Sequence, residues 1–370
     1  MFFHVMLTTR CNLECRYCHG ESSEDFSQPS EEIDHNLPEE VSYDIYSLKK
    51  FLEKDPEPAV IFYGGEPLLR ADLMMKIMDS VVTNAFIVQT NGTLLKNLRP
   101  EYISRLHTLA VSIDGDENQT DLNRGNGTFR NVIDNVRWAV ENGFRGELIA
   151  RMTVMEPADI YRQVGWIIDN EEIKFSSVHW QLNAGFWKDY GRRSFKTWVE
   201  KTYNPGVRKL VRRWVELMEE DNTVLKIYPL LGIAESLLKG ETSGLRCGAG
   251  WVNYAIQTDG HIIPCPAMWG MKKYYLGHIG RGDPLKLKKV PVGAPCTSCD
   301  IMEICGGRCL YANVMKRWDA EEYKIVCSTV KNLIDAVKDE LPRIRSLIHR
   351  GAVKQGDFAY TRYNGCEIIP

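Results

Sequence analysis

Apolar residues recur along the first half of this chain in short runs that end at cysteine, glycine or asparagine, and helical periodicity fills the intervals. Val5–Thr9, Ala59–Tyr63, Phe86–Thr90, Leu109–Ile113, Leu148–Val154 and Val178–Leu182 read as strands. Glu40–Asp55 places Val41, Ile45, Leu48, Phe51 and Leu52 on one helical face, and Leu68–Val82, Pro100–Leu106 and Asp159–Asp169 read as further helices. Thr128–Glu141 is amphipathic and stops at Asn142-Gly143. Glu21–Pro38 is acidic and polar and reads as a surface loop. Strands alternating with helices predict an α/β fold with a parallel sheet and right-handed crossovers, a partial (β/α)6 TIM-like barrel.

After this region the pattern changes. From about Arg192 to Lys239 the chain reads as helices, with Val207, Leu210, Val211, Trp214, Val215 and Met218 along Gly206–Glu220. A cysteine-rich stretch runs from Cys247 to Cys327, followed by a helix from Ser328 to about Arg350. The expected division is a barrel over 1–190, a helical bridge over 191–245, a cysteine-rich domain over 246–335, and a C-terminal helix and tail over 336–370.

A barrel of this kind carries its chemistry at the C-terminal ends of its strands. Cys11, Cys15 and Cys18 follow the first strand, Gly64-Gly65-Glu66-Pro67 the second, and Asn91 the third, while Ser112 and Asp114 end the fourth. All of these positions fall on one rim. Arg151 lies in the fifth strand, where it would either clamp a carboxylate or form a structural ion pair.

The bulk numbers narrow the partners. With 370 residues the chain is long enough for two domains, and 46 Lys+Arg against 49 Asp+Glu give a net charge of −3, which does not call for nucleic acid. No segment reaches the roughly 18 consecutive apolar residues that a membrane span needs. The start, MFFHVMLTTR, lacks the basic flank of a signal peptide, so the cytoplasm is the expected location. Ten of the eleven cysteines fall in two clusters, at 11 to 18 and 247 to 327, which points to metal sites rather than disulfides.

Three thiols in C-x3-C-x2-C spacing can hold three corners of a four-iron cluster and leave one iron without a protein ligand; a zinc site closes with four ligands in paired spacing. This array, with Tyr17 before the last thiol, resembles the radical S-adenosylmethionine (SAM) superfamily. The resemblance implies a [4Fe-4S] cluster on Cys11, Cys15 and Cys18 that binds S-adenosylmethionine and yields a 5'-deoxyadenosyl radical. It implies cofactor contacts at Tyr17, Gly64, Gly65, Glu66, Asn91, Ser112, Asp114 and Arg151, with the glycine-rich strand end meeting the methionyl amino group. Arg124-Gly-Asn-Gly-Thr-Phe129 also resembles a segment that follows the fourth strand in this family.

Downstream, Cys247, Gly260, Cys265, the array C-x2-C-x5-C-x3-C at Cys296, Cys299, Cys305 and Cys309, and finally Cys327 resemble the SPASM domain, the auxiliary-cluster module of radical enzymes that modify peptides and proteins. The resemblance implies one complete auxiliary cluster on Cys296, Cys299, Cys305 and Cys327. It implies a second on Cys247, Cys265 and Cys309, one ligand short. Water, a non-cysteine group, Cys366 folding back or a substrate thiolate would fill that place.

Pro266 stands where the sulfatase-maturating subfamily carries an aspartate base, which disfavours formylglycine formation. The favoured expectation is oxidative change of a ribosomally made peptide or protein, such as a thioether crosslink. Since the chain begins almost at its first strand, either a separate leader-recognition protein or the barrel surface is expected to read the peptide, and a reductant such as ferredoxin or flavodoxin is the other implied partner. Maturation of a tetrapyrrole or quinone cofactor is the alternative among enzymes. A non-catalytic iron-sulfur electron carrier is the alternative outside them.

Overall fold

A computed structural model of the chain describes residues 1–18, 33–365 and 369–370. Most of the predicted acidic loop from Glu21 lies outside the described residues, as does Cys366.

Six parallel strands stand side by side in chain order: β1 (Phe2–Met6), β2 (Ala59–Tyr63), β3 (Ala85–Thr90), β4 (Thr108–Ser112), β5 (Glu147–Val154) and β6 (Ser177–Leu182). Each is preceded or followed by helical segments, which is the connectivity that a parallel ladder requires. The strands alternate. Phe3 and Val5 of β1, and Ala150, Met152 and Val154 of β5, join the apolar core, whereas His4, Met6, Arg151 and Thr153 line a cavity on the other face. Residues from β1 through β6 all reach that cavity, so the sheet curves around it.

Several boundaries differ from the sequence expectation. β1 begins three residues earlier than Val5, because His4 is an inward-facing strand position rather than a break. The strand pairing ends when Leu7 N–H donates to Tyr63 O at 2.9 Å, and Thr8 then leaves to bridge Glu40. The first helix covers only Ile45–Leu52, since Asp44 caps it by accepting from Ser47 N. The predicted helix from Leu68 divides into a 3-10 turn, Pro67–Arg70, and the helix Ala71–Ser80. A helix not anticipated, Glu117–Arg124, follows β4 with Asp116 as its cap. The last long helix starts at Ala320, eight residues before Ser328, behind a reciprocal capping box of Asp319 and Glu322. Cys327 therefore lies inside that helix.

The cysteine-rich segment joins the same sheet. β7 (Asn253–Ile256) pairs parallel with β1, and β8 (His261–Ile263) and β9 (Gly277–His278) continue antiparallel, giving nine strands in the order β6-β5-β4-β3-β2-β1-β7-β8-β9. The helices Asn204–Asp221 and Tyr228–Lys239 pack with Ala320–His349; Asn332 Nδ2 donates to Asn204 O at 3.0 Å. Val207, Trp214, Val330 and Ile334 carry the barrel core into these helices, while Phe186, Ile263, Met268, Val292, Leu310 and Tyr311 form a smaller core among the cysteines.

Candidate active site

The three thiols after β1 sit on a loop held by the tips of the neighbouring strands. Asn91 Nδ2 donates to Asn12 Oδ1 at 2.8 Å, Asn12 Nδ2 donates to Thr93 Oγ1 at 2.9 Å, and Arg16 N donates to Asn123 O at 2.9 Å. The glycine pair behind β2 has a structural duty here. Gly65 N donates to Thr8 O and Glu66 N to Arg10 O, both at 2.9 Å. A Cβ on Gly64 would stand 2.2 Å from Thr8 O, and one on Gly65 2.3 Å from Arg10 O. Only glycine lets the two backbones approach so closely. Both glycines also line the cavity.

Glu66 and Asp114 turn away from that cavity. Glu66 is fully buried; Oε1 accepts from Leu68 N and Thr90 Oγ1, and Oε2 from Asn91 N at 2.7 Å. Burial pushes its carboxyl up to about 7, against the pull of those three bonds. Asp114 is 2% exposed and accepts from Tyr17 Oη at 2.7 Å, Asn123 Nδ2 at 3.0 Å, Arg124 Nε and Nη2 at 3.2 and 2.9 Å, and Thr153 N at 2.9 Å. Arg124 also lies over the Tyr17 ring, 5.3 Å from its centroid. Burial holds the Tyr17 phenol well above its usual range, so it stays a donor.

Arg151 has no carboxylate partner among the described residues. Its Nη2 donates to Gln181 Oε1 at 3.2 Å, and the Gln89 amide oxygen, turned toward the guanidinium, accepts at 3.2 Å. Its charge also reaches His4 and His179. Burial, with Arg151 adding to it, drives His4 down to about 4 and His179 well below the usual histidine range.

One cavity of about 490 Å³ is lined by Cys11, Cys15, Cys18, Tyr17, Gly64, Gly65, Asn91, Ser112 and Arg151, and also by Cys247, Cys265 and Cys309. Among the described residues its lining includes Arg124, Arg151 and Arg308 but no Asp or Glu. Pro266, just after Cys265, lines it as well. None of the ten described cysteines is in a disulfide.

Their mutual influence sorts the thiols into three sets. Burial raises Cys15 to about 11, and Cys18 and Cys11 push the same way. Burial likewise raises Cys265, with Cys309 and Cys247 adding to it. Cys305 rises to about 11 by burial, with Cys296 and Cys327 contributing, and Cys327 in turn feels Cys296 and Cys299. The sets are thus 11/15/18, 247/265/309 and 296/299/305/327, and the last does not line the cavity. Among the described residues no three His, Cys, Asp or Glu side chains converge on one ion. Soft thiolates in groups of three and four suit iron-sulfur clusters, where each ligand serves a different iron.

The model of the radical SAM superfamily matches residues 5–160. Residues 5–160 of this chain are a radical SAM domain. Within it, the chain is 29% identical over 143 residues to a probable GTP 3',8-cyclase of Methanocella arvoryzae, an alignment covering 38% of this chain and 43% of that one. It is 31% identical over 154 residues to pre-heme d1 synthase of Dinoroseobacter shibae, covering 40% and 35%. The chain thus spans less than half the length of these curated relatives.

Over nearly its whole length the chain shares the fold of SPASM-type enzymes. A structure described as native anSMEcpe with bound AdoMet and Cp18Cys peptide matches with TM-score 0.70 and 18% identity, over 94% of this chain and 99% of that one. Streptococcus suis SuiB bound to precursor peptide SuiA matches with TM-score 0.54 and 15% identity, over 85% and 72%.

Sequence reasoning named Arg124 only as the start of a family-like segment, without its pairing to Asp114, and passed over Asn123, Gln89, Gln181, His4 and Arg308. Arg124 had a usable signal, ten residues after Asp114 across one turn and a short helix. The inward polar residues had one too, since His4, Gln89, Arg151 and Gln181 interrupt otherwise apolar strands.

Proposed function

We propose that this chain is a radical SAM oxidoreductase that modifies a ribosomally made peptide or protein. Cys11, Cys15 and Cys18 would hold a [4Fe-4S] cluster, which with S-adenosylmethionine bound supplies a 5'-deoxyadenosyl radical. The chain's own residues would place that cofactor. Gly64 and Gly65 would meet its methionyl amino group, Arg151 its carboxylate, and Ser112 and Asn91 its nucleoside. Tyr17 would line the site and, with Asp114 and Glu66 beneath it, hold the cysteine loop and the strand tips in register.

The observation that carries the peptide reading is that Cys247, Cys265 and Cys309 face the same cavity as Cys11, Cys15 and Cys18. A cluster on these three cysteines would keep one position that they do not fill, and the three cysteines line the cavity open to a substrate. A peptide thiolate suits that position, being the same soft ligand as its neighbours. Among the described residues the cavity lining carries no Asp or Glu, and Pro266 follows Cys265, which supports a reaction that uses no carboxylate base. An oxidative crosslink such as a thioether meets both conditions. The four-thiol set, away from the cavity, would relay electrons, with a ferredoxin or flavodoxin as reductant and a separate protein reading any leader.

A second reading, maturation of a small cofactor, draws on the arginine-rich lining, which suits an anionic molecule, and on the barrel's similarity to pre-heme d1 synthase. Two measurements decide among these and a mere electron carrier. The reconstituted protein should form 5'-deoxyadenosine reductively; a carrier forms none. A short peptide encoded beside this gene, co-expressed anaerobically with the enzyme, should lose the mass of two hydrogens per modified residue. An unchanged mass, repeated in deuterated water to exclude epimerisation, favours the small-molecule reading.

A further inference from the structure

The segment Cys305-Gly306-Gly307-Arg308-Cys309 runs between the two downstream thiol sets. Gly306, Gly307 and Arg308 all take positive φ, at 68°, 95° and 52°. Glycine is required at the first two: a Cβ on Gly306 would lie 1.8 Å from Gly244 O, and one on Gly307 2.9 Å from Val292. Arginine has no such ease, and a non-glycine residue in this region is uncommon and costs on the order of 1 kcal/mol. The turn directs the backbone N–H groups of Gly307 and Arg308 at the Cys305 thiol and lowers it against the larger effect of burial. Successive N–H groups in a turn of this kind form a concavity suited to a negative ligand.

The Arg308 side chain is more unusual. Its Nη2 donates to Leu182 O at 3.3 Å, but Nε and Nη1 are buried and have no acceptor among the described residues. No carboxylate of the described residues pairs with it. Leaving such donors unmet is costly, and an uncompensated buried charge more so. The charge is felt at Cys327, and Tyr323, which feels both Cys309 and Cys327, feels it too. Arg308 thus reaches the four-thiol set through its backbone N–H at Cys305, with its charge felt at Cys327, and it also lines the cavity beside Cys309 of the three-thiol set.

We propose that Arg308 is a positioning residue for the four-thiol set: its buried N–H groups donate to sulfur atoms of the cluster held by Cys296, Cys299, Cys305 and Cys327, and its charge raises that cluster's reduction potential. The inference rests on the reading that this set holds a cluster. Hydrogen bonds to sulfur, burial and net charge are what set such potentials. A cation beside an anionic cluster favours the reduced, more negative form, so the electron relay is easier to fill than it would be without Arg308.

The test uses the full chain, reconstituted anaerobically, with Cys15→Ala and Cys265→Ala removing one ligand from each of the other two sets. Iron and sulfide per chain are measured first, and the midpoint potential is then read by an EPR-monitored titration. Arg308→Gln should keep the iron content of this parent and shift the midpoint to a more negative potential. Arg308→Lys, which keeps the charge and loses the planar fork, should shift it less. If Arg308→Gln loses iron, Arg308→Lys decides: a lowered midpoint at full iron content supports the proposal. Full iron content with an unmoved midpoint overturns the proposal and assigns the missing acceptor to the cavity that Arg308 also lines. A parent that binds no iron overturns the proposal together with the cluster assignment.

Discussion

Tyr17 donates its phenolic hydrogen to Asp114 at 2.7 Å, and this bond ties the cysteine loop after β1 to the tip of β4. Asp114 is simultaneously the only carboxylate among the described residues that pairs with buried Arg124. The two ends of the site are therefore coupled through one side chain.

Removing the two partners should have unequal effects. Tyr17→Phe deletes one of several donors to Asp114 and should cost about 1–2 kcal/mol. Asp114→Ala strands the Arg124 guanidinium and should cost about 3–5 kcal/mol. Urea unfolding of the iron-free protein checks both values. Similar losses for the two variants would show that Tyr17, rather than the ion pair, anchors the loop.

The glycine pair makes a second contrast. Gly64→Ala or Gly65→Ala drives a Cβ into the carbonyl oxygens of Thr8 or Arg10 and should displace the cysteine loop, lowering iron retained at the first set. Gly165→Ala should do the opposite to stability. That glycine lies in the helix Ile160–Asp169 with nothing within 4 Å of an added Cβ, so alanine should stabilise by up to about 1 kcal/mol. Iron content and thermal midpoint, measured on the same preparations, separate the two effects.

The thiol sets predict separable losses. Cys15→Ala should abolish 5'-deoxyadenosine formation. Cys299→Ala, in the set remote from the cavity, should leave part of that cleavage and stop product formation. Equal product from the Cys299 variant and the parent would remove the four-thiol set from the reaction.

Buried Glu66 and His4 predict opposing pH dependences. Glu66 is raised from 4.5 to about 7, so the folded state binds the extra proton between those values and its contribution to stability falls as pH rises through that window. His4 is lowered from 6.5 to about 4, so the unfolded state binds the extra proton and stability falls as pH drops through that window. Each effect is on the order of 3 kcal/mol, and the windows overlap. Glu66→Gln should therefore steepen the loss of stability on acidification between pH 6.5 and 4.5, and His4→Asn should flatten it. Urea midpoints at pH 4.5, 5.5 and 6.5 give the slopes directly.

The periodicity of the chain was enough to order the six barrel strands, because parallel strands with helical crossovers leave few arrangements open. It also set the candidate residues on one rim, since the ends of parallel strands must share an edge. The boundaries were less legible. They depend on caps such as Asp44 and Asp319, and on inward polar residues such as His4, which resemble strand breaks until the cavity they line is known.

The sequence by itself determined which chemistry the chain can host, because cysteine spacing limits which thiols can meet within one loop. Tertiary structure alone decided how that chemistry is supported. It turned Glu66 and Asp114 inward as braces, joined β7 to β1 so that Cys247, Cys265 and Cys309 face the first thiols, and placed Arg308 between two thiol sets with donors unmet. These outcomes depend on contacts between segments as far apart as residues 17 and 114 or 308 and 182, and burial there is set by packing that no local pattern records.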